Sequence, residues 1–382
     1  MVFAACVSAC SSNLSVPTPG GAGKSGFKQP ILGLVDMQDI SWHDVEGGEP
    51  TFTLANVNQF PGVFGGIVIN ATWDTMQPAQ NGPLNTSQVD NALSAIQTYN
   101  AQNPAHPLGV KLRTYAGSSA PLWAQQIGGT PINIQRNPAG CNPPGSNCPL
   151  TVGRFWDPSY IAAWRAFQTL VAAKYDSNPL INQVAVTSCI SQTDEPFITT
   201  VDRNSKTNLI AAGYTDGAYQ ACLAGATTDY ASWKSTLIDY TFNTFTSMQL
   251  GGGTDPAFTL NTMTACHTSL NSQCVVNNHS LSEPLVPGDS IVYSTMQTLG
   301  APVNFQTQSP RVMGCQWTAS IARGVQIGAI SIEAWPETKF QGFDSLTPAN
   351  VASLAAIFTN PIAVPTVPNP LPSTCTGFNP TS

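Results

Sequence analysis

The chain of 382 residues is poor in charge: Asp, Glu, Lys and Arg make up only 9% of it, and Lys and Arg together number 14. With a formal net charge of −7 it has no basic surface to neutralise phosphates, which argues against a nucleic-acid partner. Histidine is scarcer still, at four residues, and no Cys-x-x-Cys pair occurs, so zinc has no ligand set. No metal or other cofactor is expected. No apolar run approaches the ~18–20 residues that a membrane-spanning helix needs. No G-x-G-x-x-G follows the first apolar strand, and G-x-x-x-x-G-K-[ST] is missing, which removes the main support for a nucleotide-binding doubly wound fold. The G-x-S-x-G elbow of serine esterases is missing too. Disorder is opposed by what is present, 42% apolar residues and 16 Phe.

Cysteine, by contrast, is plentiful. Of ten cysteines, Cys6 and Cys10 lie in an N-terminal stretch, MVFAACVSACSS, whose Val7-Ser8-Ala9-Cys10 resembles a bacterial lipoprotein cleavage box. That resemblance implies export and a lipid on Cys10, although a basic leader and a longer apolar segment are not in front of it. Residues 1–28 then read as a signal remnant and flexible tether, 29–360 as one domain, and 361–382 as a Pro-rich extended tail. Cys141 with Cys148 and Cys266 with Cys274 each enclose a short polar loop, so local disulfides are expected. Cys189, Cys222, Cys315 and Cys375 are then left over, and Cys189 with Cys222 and Cys315 with Cys375 is one way to pair them. Such usage points to an oxidising compartment, secreted or in the cell envelope.

Along the chain, apolar strands alternate with amphipathic helices. Strands are expected at Ile31–Ile40, Phe64–Asn70, Leu108–Tyr115, Val184–Thr187, Phe258–Thr264, Cys274–Asn278, Pro302–Thr307 and Gly328–Ile332. Helices are expected at Ser87–Asn100, Pro158–Tyr175, Ala231–Met248, Ser290–Leu299, Gln316–Val325 and Pro348–Phe358, with a polar excursion from Pro196 to about Thr228. Roughly eight alternations over ~330 residues point to parallel strands with crossover helices. The expected fold is a (β/α)8 TIM barrel with long disulfide-bearing loops.

In a closed barrel the C-terminal strand ends meet on one face, whatever their separation in sequence. Asp36, Asn70, Arg113, Tyr115, Glu195, His267, Gln306 and Glu333 all follow or end predicted strands. Two carboxylic acids on that face, Glu195 and Glu333, suit cleavage of a glycosidic bond. One protonates the leaving oxygen while the other attacks the anomeric carbon or activates water. Trp73, Trp123 and Trp335 offer flat faces on which a sugar ring can stack. His279 reads as structural.

The segments NATWDTMQP, TDEPF and GAISIEAWP, with the layout of residues 31–358, resemble the (β/α)8 glycoside hydrolases of clan A. The resemblance implies Glu195 as general acid/base, Glu333 as nucleophile in a retaining mechanism, and Asn70 and Trp335 at the sugar subsite. Two departures stand out. Asp194 occupies the place where the clan has an Asn that bonds the sugar 2-hydroxyl. The clan's nucleophile follows strand seven; if Cys274–Asn278 is a true sixth strand, strand seven ends in Gln306 and Glu333 moves to strand eight. The substrate expected is a neutral or weakly charged poly- or oligosaccharide. A non-catalytic carbohydrate-binding barrel lipoprotein of the cell envelope is the alternative.

Overall fold

The computed structural model describes residues 26–40, 42, 48–135, 149–196, 203–248, 253–283, 285, 289–308, 313, 316–335, 339–340, 343–344 and 348–366. Its centre is a barrel of β1 (Gly33–Asp36), β2 (Phe64–Thr72), β3 (Gly109–Tyr115), β4 (Ile181–Ala185), β5 (Leu237–Thr241), β6 (Cys274–Leu281), β7 (Val303–Thr307) and β8 (Ala329–Ala334). All neighbours run parallel in chain order, and β8 pairs back to β1, with Glu333 opposite Val35. The expected (β/α)8 barrel is therefore the fold. Among the described residues no helix is long and apolar enough to cross a membrane.

The main crossover helices are α1 (Ser87–Gln102), α2 (Pro158–Tyr175), α3 (Arg203–Ala211), α4 (Asp216–Gly225), α5 (Pro256–Leu270), α6 (Asp289–Leu299), α7 (Trp317–Ile327) and α8 (Pro348–Thr359). Local chemistry starts and stops them. Asp157 accepts the Ser159 N–H at the start of α2, with Pro158 in the first turn where its missing donor costs nothing. Gly328, at φ +111°, closes α7 in the left-handed conformation that lacks a steric penalty only for glycine. Outward-facing strand residues such as Leu112, Ile238, Val276 and Ile332 pack with the helices into one continuous core. Gly65 permits the closest approach of β2 to the segment before β1: a Cβ there would lie 1.8 Å from the Leu32 carbonyl oxygen.

Three expectations are corrected. Phe258–Thr264 is helical, inside α5, because Asp255 caps the Phe258 N–H and Pro256 sits in the first turn. Its alternating threonines bond back within the helix, Thr262 to Phe258 O at 3.0 Å and Thr264 to Leu260 O at 2.8 Å. The fifth strand is instead Leu237–Thr241, inside the span expected to be the helix Ala231–Met248. The polar excursion before it carries α3 and α4. Cys274–Leu281 is the sixth strand, so β7 ends in Gln306-Thr307 and Glu333 lies on β8.

Two expected disulfides form, Cys189–Cys222 and Cys266–Cys274. Cys10, Cys141, Cys148, Cys315 and Cys375 lie outside the described residues.

Candidate active site

Side chains two apart on a strand share a face, so β3 sends both Lys111 and Arg113 into the barrel. Both are fully buried, and so are Asp239 of β5 and Glu333 of β8. Glu333 is gripped from two sides: its Oε1 lies 2.5 Å from Lys111 Nζ and its Oε2 lies 2.5 Å from Arg113 Nη2. Lys111 Nζ also donates to Asp239 Oδ1 at 2.7 Å. Arg113 Nε sits 2.6 Å from Asp194 Oδ2. This is an ion pair whose angle falls outside hydrogen-bond geometry. Asp194 Oδ1 is in turn 3.6 Å from His279 Nδ1. A chain of charge thus runs from the barrel floor, Asp239 and Lys111, through Glu333 and Arg113 to Asp194 at the mouth.

The mouth holds a cavity of about 220 Å³. Its wall comprises Met37 and Ile40 after β1, Arg113 and Tyr115, Thr193-Asp194-Glu195, His279, Gln306-Thr307-Gln308 and Trp335. Trp335 is fixed by its Nε1, which donates to Thr307 O at 3.1 Å. Several buried polar atoms of this wall have no hydrogen-bond partner among the described residues: Arg113 Nη1, His279 Nδ1, Gln306 Oε1 and Thr307 Oγ1. Donors and acceptors left open together suit a ligand that carries several hydroxyls.

Asp194 and Glu195 stand on the long loop that follows β4. Three contacts fix its path. Thr187 N donates to Tyr230 OH at 2.8 Å, Ser118 N donates to Ser191 O at 2.9 Å, and the Cys189–Cys222 disulfide ties it to α4. Glu195 Oε2 accepts from Thr193 Oγ1 at 3.2 Å, and Oε1 from Asn243 Nδ2 at 3.4 Å.

The two glutamates are driven apart in acidity. Burial, reinforced by the neighbouring Asp194 carboxylate, pushes Glu195 up to about 8, against the smaller pull of the Thr193 hydroxyl and Arg113. Burial would raise Glu333 too, but the Arg113 and Lys111 cations outweigh it and hold Glu333 down at about 2. Burial also depresses His279, beyond what Asp194 and Glu333 restore, so the ring is neutral. Asn277 Nδ2, a donor, lies 3.1 Å from His279 Nε2, which therefore accepts and leaves the ring proton on Nδ1, toward Asp194. At neutral pH the site presents a carboxylic acid, Glu195, and a carboxylate, Glu333, which is the division of labour that acid-assisted bond cleavage uses.

Of the residues expected at the site, Arg113, Tyr115, Asp194, Glu195, Gln306 and Trp335 come together around the cavity, with Glu333 directly beneath Arg113. Others do not. His267 lies on α5, behind the strands, because its segment is helix and not strand. Trp73 is fully buried in an aromatic cluster, with ring centroids 5.4 Å from Trp123, 5.1 Å from Trp164 and 5.5 Å from Phe167, so it offers no free face. Asn70 is buried and donates to Met37 O at 3.4 Å. Asp36 is held by Gln38 Nε2 at 2.7 Å and Asn56 Nδ2 at 3.4 Å, and burial raises it to about 6. Asn70 and Asp36 shape the loop that carries Met37 and are not part of the cavity wall. Conversely, His279 lines the cavity, and Lys111 and Asp239 form a charged layer of the barrel interior next to Glu333. The reading of His279 as structural is thus corrected, and Lys111 and Asp239 were not singled out from sequence, although Lys111 two residues before Arg113 on a strand was a usable signal.

The class defined by these observations is a (β/α)8 barrel with a carboxyl-rich C-terminal mouth. No protein-family profile and no characterised protein matches the chain by sequence. Among solved structures it is similar to endo-glycoceramidase II from Rhodococcus sp., in its complex with a cellobiose-like isofagomine. The TM-score is 0.51 and the identity 13%, over 85% of this chain and 79% of that one. It is also similar to the catalytic domain of beta-amylase from Paenibacillus polymyxa, with a TM-score of 0.51 and 9% identity, over 88% of this chain and 100% of that one. At such identities the likeness is one of fold, shared with barrels that are glycosidases.

Proposed function

We propose that this protein is an exported glycoside hydrolase that cleaves O-glycosidic bonds of a neutral poly- or oligosaccharide. The observation that carries the proposal is the placing of two glutamates at one end of the barrel, Glu195 in the cavity wall and Glu333 beneath Arg113 of that wall, with Glu195 pushed up to about 8 and Glu333 held down at about 2. Glu195 gives its proton to the leaving oxygen as the anomeric C–O bond breaks. The Glu333 carboxylate bonds to the anomeric carbon, and water, deprotonated by Glu195, then displaces it and restores both groups. The similar barrels of endo-glycoceramidase and beta-amylase support the reading. Arg113 and Lys111 are already matched by Asp194, Asp239 and Glu333, which leaves little positive charge for an anionic glycan. Export is supported by the two disulfides. A lipid on Cys10 would add a membrane anchor.

One observation favours a second reading, a non-catalytic carbohydrate-binding barrel. Both Glu333 oxygens are engaged by cations, and β7 ends in Gln306, which cannot act as a nucleophile. Reducing-sugar release across plant, fungal and bacterial glycans, for the wild type beside Glu195→Gln and Glu333→Gln, separates the two. Hydrolysis that collapses in both variants supports the enzyme; glycan binding without hydrolysis in the wild type supports the binding barrel.

A further inference from the structure

The floor beneath Glu333 is more elaborate than burial of a single carboxylate requires. Asp239 accepts from Lys111 Nζ and from Asn277 Nδ2 at 2.8 Å on one oxygen, and from Asn304 Nδ2 at 2.6 Å on the other. Asn304 is itself oriented by Ser331 Oγ at 2.7 Å and lies 3.2 Å from Gln183 Oε1. A network of side chains from five other strands thus surrounds the Lys111 ammonium group, which itself meets Asp239 and, as its remaining partner, Glu333 Oε1. Packed apolar side chains could fill this layer at less cost than desolvating a lysine and an aspartate, so the arrangement serves something other than stability.

We propose that Lys111, locked by Asp239, is a positioning residue that fixes the orientation and the negative charge of Glu333; the catalytic meaning rests on the hydrolase reading. Lys111 holds Oε1 and Arg113 holds Oε2, so the carboxylate cannot rotate about its last bond without losing a charged partner. Arg113 is divided between Glu333 and Asp194, whereas Lys111 and Asp239 face only the floor and Glu333. The other groups turned toward Glu333 do not replace this support. His279 of β6 is neutral, β7 offers only the uncharged Asn304 and Gln306, and Asp36 of β1 is bonded to Gln38 and Asn56.

The test reads Glu333 directly and needs no substrate. In protein labelled with 13C at the glutamate carboxyls, the Glu333 signal is assigned by its loss in Glu333→Gln and followed against pH. The comparison is with the double variant Lys111→Met/Asp239→Asn, which removes one cation and one anion. Asn277, whose Oδ1 has no partner, can turn to accept the new amide. In the wild type Glu333 stays ionised as far into acid as the protein remains folded. In the double variant its titration moves up by roughly one to three pH units, the effect of one opposite charge at contact. An unchanged titration overturns the proposal and leaves Arg113 as the sole support. On unmodified protein, a through-hydrogen-bond correlation between Lys111 15Nζ and Glu333 13Cδ is expected, and its absence also overturns it. If Glu333 moves as expected while the wild type cleaves no glycan, the Lys111 assignment stands and the hydrolase reading falls.

Discussion

Arg113 Nη2 stands 2.5 Å from Glu333 Oε2 in the barrel interior, where neither side chain meets solvent. The same guanidinium touches Asp194, so a single side chain joins the acid on β8 to the loop that carries Glu195. Arg113→Leu would strand both carboxylates without it. Breaking a buried pair on one side costs about 3–5 kcal/mol. The urea midpoint of Arg113→Leu should fall accordingly, and a stability equal to wild type would mean the pair is not buried as described.

Stability should respond to pH with opposite signs at the two glutamates. Glu195 holds its proton in the folded state up to about 8, against an ordinary 4.5, so the folded protein binds more protons than the unfolded chain between those values. Stability therefore falls as pH rises through that window, and Glu195→Gln should remove the fall. Glu333, held at about 2, contributes stability that is present above the ordinary 4.5 and is lost as pH drops toward 2. Denaturation midpoints measured across the acid and alkaline ranges in wild type and Glu195→Gln check both signs.

Two of the constraints on the loop after β4, its packing against Gly117 and its disulfide, can be loosened separately. Gly117, at φ +59°, lies so close to the loop that a Cβ there would be 2.3 Å from Ser191 O. Gly117→Ala must displace the segment leading to Asp194 and Glu195, and a misplacement of about 1 Å can cost on the order of 100-fold in turnover. Replacing Cys189 and Cys222 by Ser should likewise lower turnover. The corresponding change at Cys266 and Cys274, which joins the end of α5 to the start of β6, should lower stability alone. Steady-state rates beside thermal melts for the variants distinguish these effects.

The tryptophans divide in the same way. Trp73 lies inside an aromatic cluster, so Trp73→Ala should cost about 3–5 kcal/mol of stability. Trp335 faces the cavity, so Trp335→Ala should raise KM with a smaller effect on the melt. The reverse pattern would place the sugar-stacking face at Trp73.

Much of the barrel was legible because its strands are short apolar runs bounded by turn residues, and because α2 carries its own Asp-Pro start. The fifth strand was not. Phe258–Thr264 alternates like a strand, yet Asp255-Pro256 before it is a helix start of the same kind as Asp157-Pro158. Leu237–Thr241 has only five residues and was absorbed into the helical spacing around it. Asp194, Glu195 and Glu333 were picked out by their places after predicted strands, and the fold brings them to one end of the barrel. Lys111 could have been read as inward-facing from its place two residues before Arg113, but its partners could not, since it meets Asp239 and Glu333 across 128 and 222 residues of chain and only barrel closure brings them together.

The central claim is that Glu195 supplies a proton to a departing glycosidic oxygen. The most direct measurement compares wild type and Glu195→Gln on two glycosides of the same sugar, one with an alkyl leaving group and one with a dinitrophenyl group that departs without protonation. The account predicts a loss of roughly 100- to 10,000-fold on the alkyl glycoside, the usual worth of a general acid, and a far smaller loss in the first step on the dinitrophenyl glycoside. Equal losses on both, or no loss on either, would contradict it.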